Sequence, residues 1–454
     1  MTLQLSQIRA WLGLPAEGPS RTVLGCSIDS RSVKAGELFF AIRGPSNDGH
    51  DYVPDALANG AIAAAVRSAY RGEGPLLHVL DTSLALGQLA AKARTEWGGT
   101  VVAVTGSSGK TTTKDTIAAL LEDFVPVAKS QGNLNNQYGL PLSLLRVPDQ
   151  IRTAVVEVGI NNVGEMSRLA KVAAPDITVV TNVGTAHVGN FASVDEIAVE
   201  KGRLVEALAP TGTAVLNADD DRVAALCGKH SGPVVTYGIE RLADLRALDV
   251  ELLGADGARF RLNGHPMHSP LAGRHNVYNV MAAAATARVL GVGPEKLARP
   301  LSRLRPSMMR GSVSRVGGIT LIDDCYNANP PAVEAMLEVL RGTPATRRIA
   351  VLGEMRELGG RSQELHRRVG AAVGRAGIDH LVAVAGDAAE IAAASGIPSE
   401  FHDSPEAAGS ALAGLLRQGD AVLFKASRGV QLERARDIVC GSLGAVACEG
   451  REAA

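Results

Sequence analysis

Residues 101–113, VVAVTGSSGKTTT, constrain the fold more than any other stretch of this 454-residue chain. The apolar run at 101–104 is typical of a buried strand, and the glycine-rich turn after it leads into Lys110, Thr111 and Thr112. A strand, a glycine turn and a helix N-terminus in this order direct backbone N–H groups and the helix dipole toward one anion. The stretch therefore predicts a strand, loop and helix that bind phosphate.

Each residue type in this loop has a physical role. Gly106 and Gly109 allow the tight turn, Lys110 is placed to reach the outer phosphates, and the Thr111 hydroxyl is placed to bind Mg²⁺. The spacing GxxxxGK[ST] would require glycine where this chain has Val104, so the loop is a shorter variant. An ordinary Gly/Ser turn that caps a helix is the alternative. We predict that the nucleotide is bound by Gly106, Ser107, Ser108, Gly109, Lys110, Thr111 and Thr112.

Apolar runs followed by polar turns recur along the chain, among them AVVEVGI, ITVVTNV and TAVLNADD, and later ITLIDD, RRIAVLGEM, HLVAVAGD and AVLFKASRG. Runs without alternation predict strands buried on both faces, and therefore mostly parallel sheets covered by helices. At roughly 150 residues per domain, the length favours three domains. We expect an α/β protein with a small N-terminal α/β domain (1–98), a central phosphate-loop domain with a mostly parallel sheet (99–305) and a C-terminal Rossmann-like domain (306–454).

Composition excludes several classes of partner. Lys and Arg total 46 against 47 Asp and Glu, a net charge of -1, so no basic field attracts nucleic acid or anionic lipid. No run of about 18 apolar residues predicts a membrane span. We expect small-molecule partners, a cytoplasmic location and a monomer, with free thiols at all five cysteines: Cys26, Cys227, Cys325, Cys440 and Cys448.

Several longer blocks share a family pattern with the loop TGSSGKT: GNLNNQYGLPLSLLR, VVEVGINNVGEM, NVGTAHVGNFASVDEIAVEKG, GRHNVYNV, LIDDCYNANPPAV and KASRG. Together they resemble the Mur ligases, the ATP-dependent amide-forming enzymes that build the peptide of the bacterial cell-wall precursor. The resemblance covers nearly the whole chain. It implies an enzyme that uses ATP and Mg²⁺ to join D-alanyl-D-alanine to UDP-N-acetylmuramoyl-tripeptide.

The resemblance also assigns catalytic and metal-binding residues. Glu157 lies inside an apolar run, where a carboxylate is costly unless it is paired or binds metal; the resemblance places it on Mg²⁺ with Thr111. It places His187 on a second Mg²⁺ and makes Lys201 a carbamylated metal ligand, which requires a neutral amine and a lowered lysine pKa. Lys110 completes the catalytic set. A structural salt bridge, a surface histidine and a solvated helix lysine are the alternatives for Glu157, His187 and Lys201.

Other residues are assigned by the resemblance alone. In the nucleotide site, Asn276 is expected to contact the adenine base and Asp324 to lie near the ribose, with Arg310 reaching in from the hinge. The UDP-sugar substrate is expected to contact Ser30, Arg31, Asn47, Asp48, Asn135 and Asn136. The incoming dipeptide is expected to contact Asn327, Asn329, Ser427 and Arg428.

Two alternative functions stay open at this point. The Mur ligase that adds the third amino acid is similar, but its Asp-Asn-Pro-Arg run is absent, and the corresponding region here reads GEMRELGG. A phosphate-loop ATPase switch is the alternative from another class. It predicts ATP hydrolysis without an acceptor amine.

Overall fold

The computed structural model describes residues 1–16, 21–184 and 190–444. They fall into two compact units. The first unit comprises the described residues within 1–183, 195–236 and 285–290, and the second comprises those within 184–194, 237–284 and 291–444.

The first hundred residues form a small α/β layer within the first unit. Its elements are β1 (Leu3–Gln4), α1 (Leu5–Trp11), β2 (Thr22–Val23), β3 (Gly25–Ser27), β4 (Glu37–Phe40), α2 (Val53–Ala58), β5 (Ala63–Arg67), β6 (Leu76–Val79) and α3 (Thr82–Trp97). Strands β3 to β6 form a parallel four-stranded sheet in sequence order. Asp81 caps α3 by accepting hydrogen bonds from the N–H groups of Ser83 and Leu84.

A larger parallel sheet follows in the same unit. Its elements are β7 (Thr100–Thr105), α4 (Lys110–Leu121), β8 (Val127–Lys129), α5 (Gly139–Leu145), β9 (Thr153–Glu157), α6 (Glu165–Ala173), β10 (Ile177–Val180), α7 (Val194–Glu206), β11 (Thr213–Asn217), α8 (Asp221–Ala224) and β12 (Val234–Gly238). The strand order is β12-β11-β10-β7-β9-β8. Residues 101–105 of β7 are fully buried, as the apolar run predicts.

The register of this sheet determines where the phosphate loop lies. Val104 pairs with Glu157 of β9 on one side and with Val179 of β10 on the other. The carboxyl ends of all three strands therefore reach the same edge of the sheet, beside the loop that leaves β7.

The remaining chain contains the following elements: β13 (Leu245–Leu252), β14 (Ala258–Leu262), β15 (His265–Ser269), α9 (Arg274–Val289), α10 (Ala298–Ser302), β16 (Ser312–Val316), β17 (Ile319–Asp324), α11 (Pro330–Gly342), β18 (Arg347–Gly353), α12 (Ser362–Arg375), β19 (His380–Val384), α13 (Ala388–Ser395), β20 (Ser399–His402), α14 (Pro405–Leu415), β21 (Asp420–Lys425) and α15 (Glu433–Ser442). Strands β13, β14 and β15 are antiparallel neighbours. The last sheet has the order β16-β17-β21-β18-β19-β20, and only the β16–β17 pair in it is antiparallel.

The predicted mixed α/β class with mostly parallel sheets is confirmed. The domain boundaries at residues 98 and 305 stay a prediction. In the portions of the chain described above, no helix is both long and apolar enough to cross a bilayer.

The prediction of five free thiols is wrong at Cys440, and Cys448 lies outside the described residues. Cys26, Cys227 and Cys325 are free, but Cys440 is disulfide-bonded. Spacing alone does not reveal such a bond, because disulfide geometry depends on how the chain brings two residues together in space.

Candidate active site

The backbone between β7 and α4 has the conformation that the glycines predict. Gly106 has a φ of 152° and Gly109 a φ of 79°, which side chains with a Cβ rarely adopt. A Cβ at Gly106 would also overlap the hydroxyl of Thr181. Helix α4 begins at Lys110, so the N–H groups of its first turn and its dipole are directed at the loop. The geometry suits a bound phosphate.

Two residues after β10 hold the loop in shape. The Asn182 side-chain oxygen accepts hydrogen bonds from the N–H and hydroxyl of Ser108 at 3.0 and 3.1 Å. The Thr181 hydroxyl donates to the Ser108 carbonyl at 2.7 Å, and the Ser107 N–H donates to the Asn182 carbonyl at 2.9 Å. Sequence reasoning missed both Asn182 and Thr181; their signal was a polar pair directly after an apolar strand.

Two lysines converge on one carbonyl of the loop. The side-chain nitrogens of Lys110 and Lys201 each donate to the Gly106 carbonyl at 3.0 Å. Lys201 is 4% exposed, and its burial, with a smaller contribution from the Lys110 charge, lowers the pKa of the Lys201 amine well below its usual value. A neutral amine at this position is the form that reaction with CO₂ requires.

The Glu157 carboxylate lies at the end of β9 and is held from two sides. The Thr111 hydroxyl donates to one carboxylate oxygen at 2.6 Å, and the Asn135 amide donates to the other at 2.7 Å. Glu157 is 2% exposed and Thr111 is 6% exposed. Both of these hydrogen-bond donors are neutral groups.

The structure brings together most of the predicted metal-binding residues. Thr111 and Glu157 are in direct contact, and Lys201 reaches the same loop through Gly106. His187 lies outside the described residues. Among the described residues, no group of three or more His, Cys, Asp or Glu side chains is arranged to hold a metal. Mg²⁺ commonly takes one or two carboxylates and completes its coordination with waters and substrate phosphates.

The residues predicted to contact the UDP-sugar lie on several loops of the first unit. Ser30 and Arg31 follow β3, and the Arg31 guanidinium forms two hydrogen bonds to Asp29, at 2.9 and 2.7 Å, which lower the pKa of Asp29. Asn136 accepts hydrogen bonds from two backbone N–H groups at the start of α5, at 3.1 and 2.9 Å. Asn136 therefore orders the loop that carries Asn135.

Asn47 and Asp48 follow β4, the parallel neighbour of β3, so both pairs of predicted residues lie at carboxyl ends of adjacent strands. The ring of His50 accepts a hydrogen bond from the Arg67 N–H at 3.0 Å through Nε2, and its Nδ1 contacts Asp48 at 2.6 Å. This arrangement makes Nδ1–H the donor and lowers the pKa of Asp48. Asp48 is thus held in place by His50.

In the second unit, Asp324 ends β17 and pairs with Lys425 at the end of β21. Lys425 is 2% exposed and also donates to the Asn327 carbonyl at 3.0 Å. The Ser427 hydroxyl accepts from the Arg356 N–H at 2.9 Å and lies 3.4 Å from the Asn327 side chain. The structure therefore brings Asp324, Asn327 and Ser427 together around Lys425, which sequence reasoning missed although a charged residue closes the apolar run AVLF.

Asn276 and Arg310 also have partners within the second unit. The buried Asn276 amide donates to the Ala272 carbonyl at 2.8 Å and accepts from Asn279 at 2.9 Å. The Arg310 guanidinium stacks on the ring of Tyr326, 3.8 Å from its centroid. Their predicted contacts to the nucleotide stay predictions.

The last two residues predicted for the dipeptide have local structural roles. Asn329 is the N-cap of α11 and accepts from the Ala332 N–H at 3.0 Å. Arg428 forms an ion pair with Glu433. These contacts order the turns after β17 and β21.

Three family models match the chain. The model of the Mur ligase family catalytic domain matches residues 22–94, the Mur ligase middle domain matches 104–287, and the Mur ligase glutamate ligase domain matches 309–428.

Individual relatives match over nearly their full length. The UDP-N-acetylmuramoyl-tripeptide–D-alanyl-D-alanine ligase of Synechocystis is 38% identical over 412 residues, 89% of each chain. The Bacillus subtilis protein of the same name is 34% identical, covering 90% of this chain and 91% of its own. The crystal structure of MurF from Acinetobacter baumannii has a TM-score of 0.90 at 31% identity, covering 97% of this chain and 99% of its own. MurF from Thermotoga maritima in complex with ADP has a TM-score of 0.82 at 31% identity, covering 92% and 98%.

At this identity and coverage, relatives share the fold and the class of reaction, and the class here is the ATP-dependent ligases. Within that class, the chain belongs to the Mur ligase family. The three-domain α/β architecture of the family agrees with the fold that the apolar runs predict.

Proposed function

We propose that this enzyme joins D-alanyl-D-alanine to UDP-N-acetylmuramoyl-tripeptide, giving UDP-N-acetylmuramoyl-pentapeptide, ADP and phosphate, as a step in peptidoglycan precursor synthesis. One observation carries the proposal: relatives named for this reaction match the chain over about nine-tenths of its length, through the phosphate loop and all three family domains.

The chemistry follows from the poor reactivity of a carboxylate. The terminal carboxylate of the tripeptide attacks the γ-phosphorus of ATP, the bond to the bridging oxygen breaks, and an acyl phosphate and ADP form. The amine of the dipeptide then attacks the acyl carbon and loses a proton. The tetrahedral oxyanion collapses, phosphate leaves with the original carboxylate oxygen, and the amide remains.

The first unit supplies the groups that the phosphoryl transfer needs. The N-terminus of α4 and the Lys110 ammonium bind and orient the outer phosphates, so that the γ-phosphorus is held in line with the attacking carboxylate. The contacts of Asn182 to Ser108 keep the loop rigid, so little reorganisation is required when charge moves.

Oxygen ligands at Thr111 and Glu157 fit Mg²⁺, because hydroxyl and carboxylate oxygens are the kind of ligand that this hard cation binds. We assign one Mg²⁺ to these two residues and a second Mg²⁺ to His187, with a carbamylated Lys201 as a further metal ligand. When bound, Mg²⁺ would neutralise charge on the transferring phosphoryl group.

The same proposal covers the substrate-binding residues, the cellular location and the oligomeric state. The UDP end of the substrate binds the turns after β3 and β4, and the dipeptide binds the turns after β17 and β21. The enzyme works in the cytoplasm as a monomer on small-molecule substrates. Light scattering and cell fractionation test these last two points.

The decisive experiment measures phosphate release from Mg-ATP with UDP-N-acetylmuramoyl-tripeptide present, and analyses the product by mass spectrometry. The arms contain D-alanyl-D-alanine, single L- or D-amino acids, or no acceptor. We expect release only with the dipeptide, together with the mass of the UDP-pentapeptide. Equal release without an acceptor would favour an ATPase switch, and dependence on a single amino acid would favour another ligase of the family.

A further inference from the structure

Lys114 is a buried cation beneath the phosphate loop. It lies on α4, one helical turn after Lys110, and is 1% exposed. Its ammonium group donates to the carbonyls of Ser130 and Gly132 at 2.7 and 3.1 Å. Burying an ammonium group is costly, and burial lowers the pKa of Lys114. Through these two hydrogen bonds, Lys114 connects α4 to the loop that begins at Ser130.

That loop leads directly to Glu157. The Ser130 hydroxyl accepts a hydrogen bond from the Glu157 N–H at 3.2 Å, and the Ser130 N–H donates to the Val155 carbonyl at 3.0 Å. Five residues further on, Asn135 donates to the Glu157 carboxylate at 2.7 Å, and its carbonyl accepts from the Gly159 N–H at 2.9 Å. The loop at 130–135 therefore fixes both the backbone and the carboxylate of Glu157.

We propose that Lys114 is a positioning residue of the ligase site: it fastens the loop at 130–135 to α4, so that Thr111 and Asn135 hold the two oxygens of Glu157 in place for the divalent cation bound with the nucleotide. The inference rests on the proposed function, because the cation belongs to it. Lys114 acts through Glu157 and does not itself contact nucleotide phosphate.

A simple ion pair does not account for Lys114. Its distance to the Asp115 carboxylate is 3.5 Å, whereas Lys129, half-exposed on β8, reaches the same carboxylate at 2.8 Å. The shortest contact of Lys114 is to the Ser130 carbonyl, and its next is to the Gly132 carbonyl. Lys129 is therefore a matched control, since it shares Asp115 with Lys114 and lies next to Ser130.

The test compares ADP affinity with Mg²⁺ and with EDTA, by calorimetry, in the wild type, Lys114→Met and Lys129→Met. We expect Mg²⁺ to strengthen ADP binding in the wild type. In Lys114→Met we expect this strengthening to fall about 10-fold, as when an outer partner of a metal ligand is removed. Lys129→Met should keep the wild-type ratio.

The outcomes separate the two proposals. If the ADP affinity of the wild type is the same with Mg²⁺ and with EDTA, the metal role in the proposed function is contradicted. If Mg²⁺ strengthens ADP binding equally in the wild type and in a folded Lys114→Met variant, Lys114 is only structural and the inference is wrong.

If Lys114→Met does not fold, a second variant, Ser130→Ala, decides. It retains both carbonyl contacts of Lys114 but removes the acceptor for the Glu157 N–H. A lowered ratio then supports the role of the loop, and an unchanged ratio overturns it.

Discussion

The phosphate site in the first unit and the cluster at the ends of β17 and β21 in the second unit use charged side chains in opposite ways. At the phosphate site, Lys110 and Lys201 donate to a backbone carbonyl, and Glu157 accepts from a hydroxyl and an amide. In the second unit, Asp324 pairs with Lys425, and the neighbouring Asp323 pairs with Arg436 and Arg428 with Glu433. These hydrogen bonds at the phosphate site go to neutral groups, whereas the ion pairs in the second unit hold neighbouring segments together.

This difference predicts different consequences of mutation. Neutralising the Lys110 charge at the phosphate site should remove function, because that charge is needed to bind the nucleotide phosphates. Neutralising one member of a buried pair should reduce stability, because its partner remains buried with an uncompensated charge.

The largest effect is expected for Lys110→Met. Loss of the cation on the outer phosphates should lower turnover by about 10³-fold, in the range of a lost electrostatic contact to the transition state. Phosphate release with both substrates measures it, and the exposed Lys92 changed to Met is the control. A residual rate within tenfold of the wild type would show that the phosphates are held elsewhere.

Asp324→Asn should destabilise the second unit by about 3 kcal/mol, because Lys425 stays buried without its counter-charge. Hydrogen exchange of peptides from β17 and β21 measures this, with the exposed Asp403 changed to Asn for comparison. Both tryptophans, Trp11 and Trp97, lie in the first unit, so their fluorescence should not change. If the Asp324→Asn variant has unchanged hydrogen exchange but strongly reduced ATP affinity, Asp324 contacts the nucleotide, as the family resemblance implies.

Asn329→Ala should cost about 1 kcal/mol through loss of the N-cap of α11. Ser404→Ala is the matched comparison, because Ser404 caps α14 in the same unit by accepting from the Ala407 N–H at 3.2 Å. Thermal unfolding and the KM for D-alanyl-D-alanine are measured for both. Should the KM rise only in the Asn329 variant, Asn329 contacts the dipeptide in addition to capping the helix.

The smallest expected effect is a pH dependence at Lys201. Its pKa is lowered from the usual 10.5 in the folded state, so at pH values between the two pKa values the unfolded state binds more protons and stability rises with pH. Lys201→Met removes this dependence. The measurement is the Tm of the variant minus the Tm of the wild type, in bicarbonate-free buffer. We expect this difference to be a few degrees larger at about pH 6.5 than at about pH 9.5. Parallel Tm curves would mean that Lys201 stays charged in the fold.

Much of the fold can be predicted from local pattern. The runs that predict strands at 101–104, 154–160, 177–183 and 213–220 correspond to β7, β9, β10 and β11. Apolar runs do not reveal β13, β14 and β15, because their residues alternate between buried and exposed positions, as ARFRL in β14 does. Strand order is likewise absent from local pattern, since β7 lies between β9 and β10 through long crossovers.

The site is predictable only where chemistry and spacing coincide. Glycines and Gly-Lys-Thr after a strand identify the loop, and a glutamate inside an apolar run identifies Glu157. Lys114 has no such signal, because a helix lysine looks like a solvated residue in the sequence and only tertiary contacts bury it. The signal of Asn182, a polar pair after an apolar strand, does not show that its side chain contacts Ser108. Their roles arise from contacts between segments far apart in sequence.

The position of β7 between β9 and β10 has a consequence for biosynthesis. During translation the N-terminus of the chain emerges from the ribosome first, so the phosphate loop emerges before the later segments that contact it. Asn182 follows Ser108 by 74 residues, and Lys201 follows Gly106 by 95. A nascent chain that ends before residue 201 therefore carries a loop without its full set of contacts. We expect the loop to become ordered late in translation of the first unit, although its codons are read early.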